Sequence, residues 1–236
     1  MASKAGKKPL PPRPAPPEGV RPFWERFVRP LSAACMLVVG AMALYLGYPA
    51  VVSLAFFLAA AGIWEFSQMF RWQRRRVSEI IPTALLALAY VGVGVLSLLY
   101  VYKAGGAPYL VYAFVIAAAS DTGGFAVGYL LGGPKLAPKI SPKKTWSGFY
   151  GGLVIATALG GMYGILVLDM SRPQIWAPLS LGLAALATFG DLFESKLKRK
   201  AGVKDSSNLI PGHGGVLDRF DSVFFVLPAL AIFLAK

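Results

Sequence analysis

The chain has 236 residues, of which 56% are hydrophobic and only 15% charged. Soluble domains of this size carry about 25% charge, and here the apolar residues gather in runs near the ~20 residues that cross a bilayer core, which excludes a large soluble domain. The net charge of +13 does not point to nucleic acid, because the basic residues sit in short segments between apolar runs, where they orient a membrane protein and meet anionic headgroups.

Residues 1–30 read as a basic, Pro-rich cytoplasmic tail. Its first part, Met1–Pro17, lacks the apolar core and small-residue cleavage site of a signal peptide and has the composition of a disordered segment. Residues 31–236 read as one membrane-embedded domain. Its apolar segments are Leu31–Gly47, Ala50–Phe70, Ile80–Val101, Tyr109–Leu131, Phe149–Leu168, Ile175–Phe193 and Phe220–Ala235. In lipid each must satisfy its own backbone hydrogen bonds, so helices are expected. The fold class is therefore all-α, a polytopic integral membrane protein of about seven transmembrane helices, the first two joined by a tight hairpin at Gly47-Tyr48-Pro49. With the N-terminus in the cytoplasm, all 24 basic residues except Lys103, Arg172 and Lys236 fall on the inner side. Cys35 is the only cysteine, so no intrachain disulfide forms.

The acidic residues concentrate in three stretches, all expected at the cytoplasmic face of the cell membrane. Asp121, in Ser120-Asp-Thr-Gly-Gly-Phe125, lies inside an apolar segment, where a carboxylate is costly unless it is paired or bound to a cation. It serves either a hydrogen bond between helices or contact with substrate or metal. The glycines after it permit a close backbone approach or a break in the helix. Asp191 shares a helix face with Glu194 and Ser195 by spacing, and Asp218 and Asp221 repeat the three-residue spacing at the start of the last helix. Asp218 there is equally suited to helix capping. Several carboxylates close together call for a cation, and hard oxygen donors without Cys or His favour Mg²⁺. Lys143 and Lys144, in Ser141-Pro-Lys-Lys-Thr-Trp146, stand before a helix start, and Lys198, Arg199 and Lys204 follow Ser195. These cations suit phosphates, although ordinary inner-face charge explains some of them. His213, the only histidine, sits in Pro211-Gly-His-Gly-Gly215. General base is one role for it; phosphate contact or loop positioning suits the small residues around it better.

The run Ser195-Lys-Leu-Lys-Arg199, Lys204-Asp205, and Ile210-Pro-Gly-His-Gly-Gly-Val-Leu-Asp-Arg-Phe-Asp221 resembles the signature of phosphatidate cytidylyltransferases, the CDP-diacylglycerol synthases. The Ser120-Asp-Thr, Ser141-Pro-Lys-Lys-Thr-Trp and Gly190-Asp-Leu-Phe-Glu-Ser elements resemble the same family in the same order, so the likeness covers Ser120 to Ser222. The first hundred residues carry only a membrane pattern. Ser147 departs from the Glu that many members have after the Trp.

The resemblance implies transfer of CMP from CTP to phosphatidate, with release of pyrophosphate and a need for Mg²⁺, a second cation being left open. It implies metal ligands at Asp191, Asp218 and Asp221, and catalytic roles for Asp218, Asp221, Lys204 and His213. Substrate contacts are implied for Ser120, Asp121, Lys143, Lys144, Thr145, Ser195, Lys198, Arg199 and Arg219. The expected partners are CTP, a membrane lipid phosphate and the bilayer, with a homodimer as one allowed assembly. The expected chemistry is in-line attack of the lipid phosphate on the α-phosphorus of CTP. Competing readings are a CDP-lipid synthase using another lipid phosphate, a CTP-dependent kinase of a polyprenol-type alcohol, and a transporter with Asp121 on its path.

Overall fold

The computed structural model describes residues 25–71 and 77–236; the basic tail before Glu25 and Arg74, Arg75 and Arg76 lie outside it. Helix α1 (Glu25–Leu46) and α2 (Tyr48–Arg71) are joined by Gly47 alone, as the hairpin at Gly47-Tyr48-Pro49 predicts. Gly47 takes φ 88°, a left-handed conformation that costs glycine nothing, and its carbonyl accepts from Ala50 N and Val51 N at 3.1 Å. Then come α3 (Val77–Gly105), α4 (Ala107–Leu131), strands β1 (Lys135–Ala137) and β2 (Ser141–Thr145), and α5 (Trp146–Tyr163), which runs on as a wider turn over Gly164–Leu168. α6 (Pro173–Lys200), the one-turn α7 (Leu217–Phe220) and α8 (Val223–Leu234) complete the chain.

Among the described residues six helices, α1 to α6, are long and apolar enough to cross a membrane. The expected seventh span proves shorter. α8 has 12 residues, about 18 Å of helix, against the ~30 Å hydrocarbon core. It packs on α3, α4 and α6, with Val226, Leu227 and Leu230 fully buried, so protein surrounds much of it. By contrast, α1 touches mainly α2 and is largely exposed along its length, as a lipid-facing helix is.

The tightest packing joins α4 to α5. A Cβ on Gly148 would stand 2.5 Å from Gly124 O, and one on Gly152 would stand 2.6 Å from Ser120 O. Small residues let membrane helices approach this closely. α4 is unbroken, so the glycines after Asp121 serve this approach rather than a break: a Cβ on Gly123 would meet Ile155 at 2.9 Å.

One element departs from the all-α expectation. β1 and β2 pair as an antiparallel ribbon, with Lys135 opposite Thr145 and Ala137 opposite Ser141. Thr145 ends the ribbon and caps α5, its hydroxyl accepting from Gly148 N at 3.1 Å. Lys143 and Lys144 therefore stand immediately before a helix start, as their sequence context predicts.

Candidate active site

The C-terminal ends of α2, α4 and α6 and the N-terminal ends of α1, α3, α5 and α8 lie together at one end of the bundle, and the three acidic stretches meet there. α4 carries Asp121, α6 carries Asp191, and the turn between α7 and α8 carries Asp221. Lys144, brought in by the β-ribbon, pairs directly with Asp191 and lies 3.9 Å from Asp121. Ser195 donates to Asp191 at 3.1 Å, which realises the shared helix face read from their spacing. Ser222 Oγ reaches Asp121 at 3.3 Å. Burial raises the carboxyl pKa of Asp221, and the Asp191 and Asp121 carboxylates push it further up, so these three acids share one electrostatic field. Tyr90 of α3 donates to the Asp221 carbonyl at 3.0 Å, and a Cβ on Gly190 would come within 2.5 Å of that same oxygen.

A second cluster adjoins the first. Lys198 lies 2.8 Å from Glu194 Oε2 and 2.7 Å from Asp218 Oδ1. Asp218 also accepts from Gly215 N at 2.9 Å and Ser206 N at 3.0 Å. Burial drives the Asp218 pKa up, but Lys198 and these backbone donors prevail and hold it below the usual carboxylate range. Asp218 thus ties a loop to α6 and is already provided with donors, none of them a cap of α7.

One cavity opens onto the first cluster, and another lies beside the loop that follows α6. The first, of about 690 Å³, is lined by Ser120, Asp121, Lys143, Lys144, Thr145 and Asp191, with Lys135 and Ser141 from the ribbon. The second, of about 570 Å³, is lined by Arg29, Lys204, Asp205, His213 and Arg219. His213 Nδ1 is 2.7 Å from Ser32 Oγ, and Arg219 donates to the His213 carbonyl at 2.8 Å. Burial, then the nearby Arg219 and Arg29, lower the imidazole pKa.

Some residues singled out from sequence are engaged elsewhere. Arg199 bonds the carbonyls of Ile140 and Val203, joining the ribbon to the end of α6. Ser120 does line the first cavity, but it is buried, with its hydroxyl 3.3 Å from that of Thr188. Ser147, the departure from the family pattern, donates to Gly132 O and lies 3.0 Å from the Thr145 hydroxyl. The reading of the first hundred residues as mere membrane pattern is corrected: Arg29 and Ser32 reach the His213 loop, Tyr90 holds Asp221, and Glu65 of α2 is fully buried against residues 206–217. A lone acid in an apolar run was the available signal for Glu65.

Among the described residues no three Asp, Glu, His or Cys side chains preform a metal cage. The donors nonetheless suit Mg²⁺, which keeps several waters and binds through one or two carboxylates together with substrate phosphates. Asp191 and Asp221 face one another electrostatically, and Lys144 puts a positive charge between Asp191 and Asp121.

Residues 20–236 match the cytidylyltransferase family. The chain belongs to that family. Relatives within it include phosphatidate cytidylyltransferases from Staphylococcus haemolyticus, 44% identical over 154 residues, and Staphylococcus saprophyticus, 43% identical over 152. The protein of that name from Staphylococcus aureus is 44% identical over 156 residues. In each case the match covers 64% of this chain and 58% of the relative. The chain thus spans less than two thirds of the length of these relatives, while the family match takes in α1 to α8 and with them both cavities.

Proposed function

We propose that this chain transfers CMP from CTP to phosphatidate, giving CDP-diacylglycerol and pyrophosphate, at the cytoplasmic face of the cell membrane. The observation that carries the reading is the meeting of Asp121 and Asp191 at Lys144, with Asp221 in the same electrostatic field and a cavity lined by Lys143, Lys144 and both paired acids beside them. The names of the Staphylococcus relatives support the same chemistry. The orientation rests on the basic residues, which crowd the end that carries these acids.

Both reactants are anionic, so the site must cancel repulsion before it can align them. A phosphomonoester has its second pKa near ~6 and is largely ionised at pH 7, so it needs no base to become a nucleophile. Its oxygen forms a bond to the α-phosphorus of CTP while the bond to the bridging oxygen breaks and pyrophosphate leaves. Lys135, Lys143 and Lys144 line the first cavity and offset phosphate charge there; Arg29, Lys204 and Arg219 do so in the second. Asp191 and Asp221, with Asp121 beside them, would hold Mg²⁺, which would neutralise phosphate charge and orient the leaving group. The bilayer contributes by fixing the lipid phosphate at headgroup depth.

The test is incubation of the purified chain with phosphatidate, Mg²⁺ and CTP labelled at the α- or the γ-phosphate. Lipid carrying α-label, lost when the metal is chelated, is the expected result. Lipid carrying γ-label, with an alcohol as acceptor, would make the chain a kinase, and absence of label from lipid would return it to the transporter reading.

A further inference from the structure

Glu65 lies near the end of α2, outside every stretch that carries the family resemblance, and is fully buried. A carboxylate removed from water is costly unless donors replace its hydration. Here four donors do. Oε1 accepts from Ser207 Oγ at 2.7 Å and Val216 N at 2.7 Å; Oε2 accepts from Ser206 Oγ at 2.9 Å and Leu217 N at 2.8 Å. Two of these donors enter the loop and two leave it, so a single carboxylate closes the neck of residues 206–217. Gly215 belongs to the arrangement: a Cβ there would stand 2.6 Å from Glu65 Oε1 and 1.8 Å from Ser206 Oγ.

Beyond the neck, Ile210 N donates to Gly214 O at 2.8 Å, and the loop carries Asn208 and His213 into the second cavity. Below it, Ser206 Oγ is also 3.1 Å from Asp218 Oδ2, and Asp218 is held by Lys198. Glu65 lines neither cavity. Its influence on the second cavity and on the Lys198 cluster passes through the loop it clasps.

We propose that Glu65 is a positioning residue that clasps the His213 loop and so sets the geometry of the second cavity for turnover. The consequence for turnover rests on the cytidylyl-transfer reading; the consequence for the loop rests on geometry alone. Glutamine keeps the shape but presents an NH₂ where one oxygen stood. A serine hydroxyl can turn to accept from that group, whereas the Val216 or Leu217 N–H cannot, so one backbone donor then faces another.

The test compares wild type with Glu65→Gln in the full chain in nanodiscs, by hydrogen exchange and by α-label transfer at varied CTP and phosphatidate. In Glu65→Gln the exchange of segment 208–217 is expected to quicken about tenfold or more while the α4 and α5 segments keep their protection. The kcat/KM per folded molecule is expected to fall about 10- to 100-fold, with a raised KM for one substrate. A purely structural role would reduce the folded fraction but leave kcat and KM of the folded molecules unchanged, and that result overturns the proposal. Ser207→Ala removes one hydroxyl donor and keeps both backbone bonds, so its expected effect has the same direction at about two- to fivefold. Should Glu65→Gln fail to fold, unchanged exchange and unchanged KM in Ser207→Ala overturn the clasp. Should wild type transfer no label, the cytidylyl-transfer reading falls by itself, and the clasp then stands or falls on whether Glu65→Gln loosens segment 208–217.

Discussion

The two ends of the bundle are built from opposite materials. At one end, three stretches of chain, α2, the end of α6 and residues 206–218, converge to bury Glu65, Glu194, Lys198 and most of Asp218 in a network of ion pairs and hydrogen bonds. At the other, the chain turns with little more than glycine and a short polar loop: Gly47 between α1 and α2, Gly106 at φ 75° between α3 and α4, and Asp169 to Arg172 between α5 and α6. The second end needs only to reverse direction in a headgroup layer. The first holds charges that low dielectric makes costly when unpaired, and such an arrangement persists where chemistry requires it. The contrast says which end can meet phosphates, and it can be attacked at four points.

The largest effect is expected from Lys198→Met. The ammonium serves two buried carboxylates, Glu194 and Asp218, and its removal leaves both uncompensated. Breaking a buried ion pair by removing one partner costs about 3–5 kcal/mol. The denaturation midpoint in detergent measures it, and a midpoint equal to wild type would show that the network does not hold this end together. Next comes Asp221→Asn, which keeps size and removes one charge from the field shared with Asp191 and Asp121. Label transfer is expected to fall about 10²- to 10³-fold with the fold retained, and near-wild-type turnover would remove Asp221 from the site.

Much of this was legible in the sequence, and the reasons are particular. Apolar runs of membrane length announce helices because lipid leaves the backbone no other partner, so α2 to α5 fall within a few residues of the apolar runs, while α1 starts earlier, at Glu25, and α6 runs on to Lys200 through the charged residues that follow Phe193. Asp121, Asp191 and Asp221 were legible because carboxylates in or beside such runs are costly. The pairing of Lys144 with Asp191 was not, since it depends on a β-ribbon whose strands, Lys-Leu-Ala and Ser-Pro-Lys-Lys-Thr, lack the branched and aromatic residues that mark strands. Glu65 was missed because an acid near a helix end has water within reach unless another segment folds over it, and only the fold shows residues 206–217 doing so. The shortness of α8 was hidden because the last segment reads as starting at Phe220, whereas Asp221 and Ser222 form a turn and the helix begins only at Val223.

The α4–α5 seam supports the charged end without carrying charge itself, and it offers a smaller, sharper test. Gly152→Ala drives a methyl toward Ser120 O, one residue from Asp121. Overpacking of this kind costs about 1–3 kcal/mol. Because the backbone that must shift also holds Asp121, activity is expected to fall further than the midpoint alone accounts for. A loss of stability with turnover per folded molecule unchanged would separate the seam from the site.

The smallest effect belongs to the opposite end, where Asp169 is the one carboxylate in the turns. Its Oδ1 accepts from Ser171 N at 2.8 Å and Ser171 Oγ at 2.6 Å, and these hydrogen bonds hold its pKa below the ordinary range. A depressed folded-state pKa contributes stability that is present above the unfolded value and lost as pH falls through the folded one. Any contribution of Asp169 is therefore complete at pH 7 and fades only in acid. The group is fully exposed, so water screens the effect and replaces the lost bonds. Asp169→Asn is expected to leave label transfer within about twofold of wild type at pH 7. Asp221→Asn makes the same chemical change, carboxylate to amide, and differs only in which end of the bundle receives it. A tenfold loss from Asp169→Asn would mean that the far turns also touch the reaction, and the division of the molecule into a chemical end and a turning end would fail.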